Sequence, residues 1–300
     1  MVNPALHIQH ITKSFGALVA NDDITLAVQP GEVLGLLGEN GAGKSTLMSI
    51  LFGHYLADSG SIEVFDKPLP AGDPKAALAA GIGMVHQHFT LAVNLSVLDN
   101  IMLGSEPLWQ PFSRREAGRT KLLELAQRFG LDVQPDAQVA SLSVGERQRV
   151  EIVKALYRGA KILILDEPTA VLTPQESLAL FDTLQKLVAQ GLSVIFISHK
   201  LPEVLRVCNR VAVLRGGRLV ATLDAKAATQ AQLAAAMVGQ SLKPLDVQRS
   251  RHIGAVACEL SGVSAGQPGR NRINNINLTD RKSTRLNSSH STLSRMPSSA

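Results

Sequence analysis

The fold class of this 300-residue chain is decided by the stretch Val33-Leu-Gly-Leu-Leu-Gly38-Glu39-Asn40-Gly41-Ala42-Gly43-Lys44-Ser45-Thr46. An apolar run leads into a glycine-rich loop, which is followed by an apolar helical segment, Leu47–Phe52. In such a unit the glycines let backbone N–H groups curl around phosphate oxygens at the positive end of a helix. Lys44 adds charge to the β- and γ-phosphates, and the Ser45 hydroxyl suits Mg²⁺. Residues 38–46 are therefore predicted to bind a nucleoside triphosphate with Mg²⁺.

Outside this loop, short apolar runs alternate with helical patterns as far as about residue 240. Three of the runs are continuously apolar, as expected of parallel strands covered on both faces: Val33–Leu37, Lys161–Leu165 and Ser193–Ile197. Helical patterns follow Lys44, Gly145 and Thr173, and another covers Arg114–Phe129. The early runs have no helix between them, which suits a small antiparallel sheet. We predict an α/β fold with a mixed, mostly parallel central sheet and an antiparallel β subdomain.

Two acidic residues end the apolar run Lys161–Leu165. Asp166 is expected at the carboxyl edge of the sheet, beside the phosphate loop, where it can hold Mg²⁺ through water. Glu167 would then face the γ-phosphate and orient or polarise the attacking water. Acidic residues at a strand end also serve as helix caps, but the phosphate loop in the same chain favours the role in hydrolysis.

The charge balance argues against a nucleic-acid partner. The chain has 30 Lys and Arg against 25 Asp and Glu, a formal net charge of +5, but residues 280–300 account for three of those charges. The remainder is too close to neutral for a strong electrostatic attraction to DNA or RNA. No apolar run is long enough to cross a membrane, and Cys208 and Cys258 lie far apart, so a reduced, cytosolic compartment is expected.

The periodicity predicts one complete domain over residues 1–240 and a polar linker over 241–255. Two further strand-like runs, Val256–Leu260 and Ile273–Leu278, echo the first strands of the chain in order and character. Residues 256–279 are therefore predicted to open a second, truncated copy of the domain, the alternative being an extension of the first. Residues 280–300 are serine-rich and aperiodic, and they resemble either a translated sequencing adapter or a disordered native tail.

Five landmarks occur in order: the phosphate loop, Gln87, Leu142–Glu146, Asp166-Glu167 and His199. In this order and spacing, residues 5–240 resemble the nucleotide-binding domain of ABC transporters. The resemblance implies the fold of the P-loop NTPases with a helical signature subdomain, and ATP and Mg²⁺ as cofactors. It also implies that Glu167, His199, Gln87 and Lys44 act in ATP hydrolysis.

The resemblance assigns further roles to single residues. Phe15 stands where an aromatic ring stacks on adenine, the alternative being an ordinary Phe of the core. Gln87 matches the glutamine that senses Mg²⁺ and the γ-phosphate, so Ser45, Gln87 and Asp166 form the predicted metal site. His199 matches the histidine that contacts the γ-phosphate. The histidines flanking Gln87, His86 and His88, lack the further ligands that zinc requires.

The signature segment departs from the common Leu-Ser-Gly-Gly-Gln, since Val144 and Glu146 replace a glycine and the glutamine. Ser143, Val144, Gly145 and Glu146 are nevertheless expected to contact the ATP of the opposite domain. Ser143 with Glu146 also forms a capping-box pattern, which predicts a helix through Tyr157. A second capping box begins at Thr173, where many ABC domains carry an Asp, so communication through that Asp is in doubt.

These departures and the tandem second start resemble one subgroup, the twin-cassette importer ATPases for simple sugars or nucleosides, with nucleosides favoured. The implied partners are membrane permease subunits, a second cassette in the same chain or in a second copy, and, indirectly, a solute-binding lipoprotein. The expected location is the cytoplasmic face of the inner membrane, peripherally bound. Two alternatives are a soluble twin-cassette ATPase acting on ribosomes or in DNA repair, and a nucleotide-binding module without turnover.

Overall fold

A computed structural model describes residues 3–87, 89–105, 114–239, 253–265 and 273–283 of the chain. The chain divides into two compact units, residues 1–242 and 243–300. Most of the predicted linker 241–255 and of the predicted tail 280–300 lies outside the described residues, as does His88. Among the described residues, no helix has both the length and the apolar character needed to span a membrane.

The first unit begins with a small antiparallel sheet, as the sequence predicts. Its spatial order is β2-β1-β4-β5, so the first strand lies in the middle. The strands are β1 (Leu6–Phe15), β2 (Leu18–Val28), β4 (Ser59–Val64) and the short β5 (Lys67–Pro68). β1 pairs antiparallel with both β2 and β4, and bulges interrupt both registers.

The second sheet is mixed and forms the middle layer of the unit. Its order is β10-β9-β3-β8-β7-β6, and all neighbours are parallel except the hairpin β9–β10. The strands are β3 (Val33–Leu37), β6 (Ile82–Val85), β7 (Ile162–Asp166), β8 (Ser193–Ile197), β9 (Arg210–Arg215) and β10 (Arg218–Asp224). The Gly216-Gly217 turn joins β9 to β10 with positive φ angles of 55° and 80°, which a Gly-Gly pair adopts at low cost.

Eight α-helices connect and cover these strands within the described residues. They are α1 (Lys44–Leu51), α2 (Pro74–Ala79), α3 (Val97–Met102), α4 (Arg115–Phe129), α5 (Val144–Tyr157), α6 (Pro174–Ala189), α7 (Leu201–Val207) and α8 (Gln230–Val238). Both predicted capping boxes are confirmed, Ser143 with Glu146 at α5 and Thr173 with Glu176 at α6. The short helices α2 and α7 escaped the sequence patterns, because each is too short to show a period.

The central sheet is buried on both faces, which explains its continuously apolar strands. Along β7, Leu163 and Leu165 belong to one core cluster, whereas Ile162 and Ile164 belong to the other. The first cluster includes residues of α3, α4, α5 and α6, and the second includes residues of α1 and the antiparallel sheet. With apolar side chains on both faces, β3 and β7 are held in one register, and their carboxyl ends lie at a common edge.

The second unit contains one antiparallel hairpin, β11 (Ile253–Ala265) with β12 (Ile273–Ser283). β11 therefore begins inside the predicted linker, and β12 continues into the predicted tail. The hairpin repeats the register of β1 and β2 at a constant offset of 252 residues: Ile8↔Leu26 becomes Leu260↔Leu278, and Ile11↔Ile24 becomes Val263↔Ile276.

The bulge repeats as well. His10 and Asp23 have φ angles of 53° and 52° in the first hairpin, and the equivalent Gly262 and Asn275 have 64° and 52° in the second. A shared pairing order could arise by chance in any hairpin, but two left-handed residues at matching positions in both strands make a more specific likeness.

One buried side chain joins the antiparallel sheet to the phosphate loop. Asn21 of β2 is fully buried, and its Nδ2 donates to the carbonyl oxygen of Gly43 in the phosphate loop, 3.0 Å away. Replacing Asn21 with Ala should lower the free energy of unfolding by about 1–3 kcal/mol, since a buried hydrogen bond is lost and a cavity remains. Urea denaturation measures this difference.

The matched control is Asn3→Ala, because Asn3 donates from the same kind of atom to Asp66 over 2.9 Å at an exposed position. Its effect should stay within about 0.5 kcal/mol, as for most surface substitutions. Equal losses in the two variants would contradict the importance given to the buried bond.

Candidate nucleotide site

The phosphate loop lies between β3 and α1, as predicted, and is folded around the side chain of Lys44. The Lys44 Nζ donates to the carbonyl oxygens of Gly38 and Glu39 over 2.7 and 3.0 Å. Burial lowers the pKa of Lys44, although the carboxylates of Glu167 and Asp166 act in the opposite direction. The loop thus holds a buried cation beside two acids, at the place where the sequence predicts phosphate oxygens.

Two glycines are required here by close backbone approaches. Gly43 has a φ of 98°, and a Cβ at that position would collide with the backbone oxygen of Ala20 in β2. A Cβ on Gly38 would lie 2.6 Å from the backbone oxygen of Leu214 in β9. Any side chain at these positions would push the loop away from the strands that shape it.

The acid pair lies at the carboxyl edge of the central sheet, as predicted. Asp166 is the last residue of β7, and the backbone N–H of Glu167 donates to the Ile197 carbonyl of β8 over 3.0 Å. Glu167 has a φ of 47°, which is unusual for a residue with a side chain and turns its carboxylate out of the strand direction. Burial raises the pKa of Asp166, the charge of Glu167 raises it further, and His86 and Lys44 oppose both effects.

Glu167 and His199 form a direct pair. The His199 Nδ1 and the Glu167 Oε1 are 2.9 Å apart, and the imidazole N–H donates to the carboxylate. The Glu167 side chain is only 14% exposed, whereas His199 is 59% exposed. The other carboxylate oxygen, Oε2, is buried and accepts no hydrogen bond within the described part of the chain. One oxygen is therefore fixed by His199, and the second is free to accept from a further group.

The exposure of Phe15 argues against a role in the core. The ring is 44% exposed at the end of β1, and the Tyr55 ring packs edge to face against it, with 5.5 Å between centroids. The Lys13 Nζ lies 5.4 Å from the Phe15 centroid and is held by Asp58 at 2.8 Å. Tyr55, Lys13 and Asp58 were missed by the sequence analysis, because no local pattern links residues 13–15 to residues 55–58.

Gln87 lies in the exposed loop that follows β6, and it has no hydrogen-bond partner among the described residues. Its neighbour His86 is close enough to Asp166 to lower the pKa of that carboxyl group. Within the described part of the chain, no three or more His, Cys, Asp or Glu side chains are grouped so as to hold a metal ion. Gln87 thus follows the strand that pairs with β7, but within the described residues it makes no hydrogen bond to the acid pair.

The signature segment occupies the start of α5. Ser143 caps the helix, with its Oγ 3.2 Å from the backbone N–H of Glu146, and Glu146 Oε2 accepts from the Ser143 N–H at 2.7 Å. The N–H of Gly145 donates to Glu176 Oε1 of α6 at 3.1 Å. No hydrogen bond in the described structure joins residues 143–146 to the phosphate loop, so the two halves of the predicted site are separate within one chain.

A second set of polar contacts joins the turn after Glu167 to the start of α7. The Lys200 Nζ, next to His199, donates to the Thr169 carbonyl at 3.0 Å, and the Thr169 hydroxyl donates to Glu203 at 2.5 Å. Thr169 is fully buried, although it lies only two residues beyond Glu167. The sequence offers a signal for this contact only in retrospect, because Lys200 and Glu203 read as ordinary surface charges.

With this geometry established, comparison with known proteins identifies the class. Residues 21–170 match the ABC transporter family, and the chain belongs to that family. The fold agrees: the crystal structure of an ABC-transporter ATP-binding cassette in its ADP conformation superposes with a TM-score of 0.71 at 26% identity, covering 79% of this chain and 98% of that one.

The relatives narrow the class further. The chain is 45% identical over 93% of its length to a glucose import ATP-binding protein of Haloferax volcanii. It is 45% identical over 86% of its length to the guanosine import ATP-binding protein of Bacillus subtilis. It is 47% identical over 77% to a nucleoside import ATP-binding protein of Lactococcus lactis. These alignments cover 56%, 51% and 46% of the three relatives, so the chain spans about half the length of the curated relatives it matches.

The electrostatics of the acid pair give a stability prediction. Because the pKa of Asp166 is raised in the folded chain, its ionised form is disfavoured there, and folding loses stability as the pH rises through that pKa. Asp166→Asn should therefore raise Tm at pH 7 without nucleotide by about 1–3 °C, a modest gain because the group is partly exposed. The gain should shrink near about pH 4, where an ordinary Asp takes up its proton.

Asp182→Asn is the control, since Asp182 is an exposed carboxylate on α6. It should leave Tm almost unchanged at both pH values. A lower Tm for Asp166→Asn at pH 7 would show that Asp166 stabilises the unliganded fold, against this prediction.

Proposed function

We propose that this chain binds ATP with Mg²⁺ and hydrolyses the γ-phosphate as the energy-supplying part of an ABC importer. The observation that carries the proposal is the Glu167 carboxylate, of which Oε1 is held by His199 at 2.9 Å while Oε2 is buried without a partner. A buried, oriented oxygen of this kind is suited to accept a hydrogen bond, and then a proton, from an attacking water.

The neighbouring groups complete the chemistry. Lys44 would exchange its two carbonyl partners for phosphate oxygens and stabilise the charge that develops on the transferred group. His199 fixes the carboxylate and, being largely exposed, can also reach the γ-phosphate. The pair Asp166 and Glu167 is costly to bury without a cation, which suits a hard metal ion. Mg²⁺, held by Ser45, Asp166 and Gln87, would neutralise phosphate charge when bound.

Phe15 is proposed as the platform for adenine. Its exposed ring is positioned by Tyr55 and by the ammonium of Lys13, so that stacking on it costs little further ordering. Asn21 lies on β2, which pairs with the strand that ends at Phe15, and it bonds to Gly43 in the phosphate loop. Residues 38–46 would therefore bind the phosphates, and Phe15 the base, of the same nucleotide.

A single cassette offers only half of each hydrolysis site, because the signature residues Ser143, Val144, Gly145 and Glu146 lie apart from the phosphate loop. We propose that they contact ATP held by a second cassette, in the same chain or in a second copy. The repeated register and bulge of β11 and β12 support the reading of residues 256–279 as the opening of that second cassette. Turnover by this chain should then depend on pairing.

Import of nucleosides is the proposed task, with simple sugars as the second candidate. The relatives from B. subtilis and L. lactis are named for guanosine and nucleoside import and the one from H. volcanii for glucose import, which supports import over a role on ribosomes or in DNA repair. The proposed partners are two membrane permease subunits and, through them, a solute-binding lipoprotein. The chain would then act peripherally at the cytoplasmic face of the inner membrane.

Glu167→Gln tests the proposed base. The amide keeps the size of the side chain but cannot take up a proton, so ATP hydrolysis should fall by about 10²–10⁴-fold. The Kd for ATP should stay within about twofold, because the phosphate loop is untouched. Phosphate release measured at high chain concentration, where copies pair, gives the rate, and fluorescence titration gives the Kd.

Glu124→Gln, an exposed change on α4, is the control and should hydrolyse ATP at the parent rate. Retained turnover in Glu167→Gln would rule out Glu167 as the base. Failure of the parent chain to bind ATP would reject the proposed function as a whole.

Phe15→Ala tests the adenine platform. Loss of one base-stacking contact should raise the Kd for ATP by about tenfold. The Kd for inorganic tripolyphosphate should not change, since that ligand has no base. Leu18→Ala, which removes another exposed side chain from the same hairpin, should affect neither ligand. Equal weakening of both ligands by Phe15→Ala would indicate a general structural role.

A further inference from the structure

The amide that the signature segment would offer to a phosphate is already bonded to an anion of the same chain. The Gly145 N–H lies in the first turn of α5, where backbone N–H groups have no partner within the helix. It donates to Glu176 Oε1 at 3.1 Å, across the gap between α5 and α6. A Cβ on Gly145 would lie 2.8 Å from the same oxygen, so the two groups are in close contact.

A carboxylate is a good substitute for a phosphate oxygen at this position. Both are anionic acceptors, and both gain from the partial positive charge at a helix N-terminus. If both approached the same N–H, the two anions would repel each other. One of them would also be left without a hydrogen-bond donor. The contact is therefore incompatible with a phosphate bound to the same amide.

We propose that Glu176 is a positioning residue that holds the signature amide of Gly145 in the unpaired cassette. The γ-phosphate of the opposite ATP then displaces it, an inference that rests on the proposed pairing of cassettes. In this arrangement the helix end remains satisfied and correctly oriented until the nucleotide arrives. The same contact raises the ATP concentration needed for two cassettes to pair, because the phosphate has to replace the carboxylate of Glu176 at the Gly145 N–H.

The surroundings of Glu176 make its release possible. Its second oxygen, Oε2, accepts from the backbone N–H and the hydroxyl of Thr173 at 3.0 and 2.9 Å, so the carboxylate keeps two partners when Gly145 leaves. The side chain is only partly buried. Hydrogen bonds from Thr173 and, less strongly, from Gly145, together with the charge of Arg149, hold the pKa of Glu176 below its usual value. The group is therefore anionic at neutral pH.

The charge of Glu176 is also not isolated. Glu146 caps α5 with a second carboxylate; the charge of Glu176 raises the pKa of Glu146, while the charge of Arg149 on α5 lowers the pKa of both acids. A phosphate approaching Ser143 and Gly145 thus meets two carboxylates and one guanidinium. Removing the charge of Glu176, without changing its shape, should make this approach easier.

The test uses the full chain with Glu167→Gln, so that ATP is retained, and labels its glycines with ¹⁵N. The amides of Gly38, Gly41 and Gly43 report ATP in the phosphate loop, whereas the amide of Gly145 reports the signature contact. Mg-ATP is titrated into this parent and into the same chain carrying Glu176→Gln. The Gly145 signal of the Glu176→Gln chain should shift at an ATP concentration lower by up to about threefold, because one repulsive charge is absent.

The matched control is Asp182→Asn, which removes one exposed charge from the same helix. It should leave the ATP concentration at which Gly145 shifts unchanged. If Glu176→Gln leaves that concentration unchanged or raises it, while the phosphate-loop glycines respond normally, the inference is wrong. If the phosphate-loop glycines do not respond to ATP, the proposed function itself fails.

A second readout does not depend on ATP or on pairing. In the parent without nucleotide, the Gly145 amide should move with pH as Glu176 takes up its proton, in a range below that of an ordinary Glu. In Glu176→Gln the movement should shrink to the part caused by the adjacent Glu146. A Gly145 amide that ignores the acid titration in the parent would show that the two groups are not bonded in solution and would overturn the inference.

Discussion

The candidate site depends on the parallel pairing of β7 with β8. The ladder runs past the end of β7, since the Glu167 N–H still donates to the Ile197 carbonyl at the last residue of β8. This bond carries Glu167 out of the strand with a positive φ and places its carboxylate beside His199, which follows β8. Because alternate side chains of the two strands pack into two different core clusters, a one-residue slip would exchange them between the clusters and disrupt the packing, so the pairing is strongly fixed. The chemistry of the site is therefore protected by the packing of the sheet.

Much of this arrangement could be predicted from the sequence. The strands that carry the phosphate loop, Asp166 and His199 are continuously apolar, so their burial and parallel order follow from composition, and the two capping boxes fix the starts of α5 and α6. The contacts that give the site its electrostatics could not be predicted, because they join residues far apart in the chain. Asn21 with Gly43, Tyr55 with Phe15, and Gly145 with Glu176 belong to different elements, and each depends on the distance between them. Glu176 illustrates this limit, since its capping role is local and visible, whereas its contact with the signature helix is not.

The two halves of the candidate site share one physical property. In the phosphate loop, the Lys44 ammonium is satisfied by backbone carbonyls, and at the signature helix the Gly145 amide is satisfied by a carboxylate. Buried or partly buried polar groups without partners are costly, so these two groups stay bonded to the chain's own atoms, whereas Glu167 Oε2 has no such partner among the described residues. Binding is then an exchange of partners, and its net free energy is smaller than a count of the new contacts would suggest.

The bulge shared by the two hairpins shows how one backbone shape can be reached with different side chains. At His10 and Asp23, where left-handed φ angles disfavour most residues, the two side chains bond to each other across the strands at 2.7 Å. At the equivalent positions the second hairpin has Gly262 and Asn275, residue types that adopt this conformation at low cost. The twist of the ribbon is thus encoded twice, once through a contact between side chains and once through intrinsic conformational preference. A sequence comparison that scores identity at these positions would find no likeness, although the chain performs the same turn of the backbone at both.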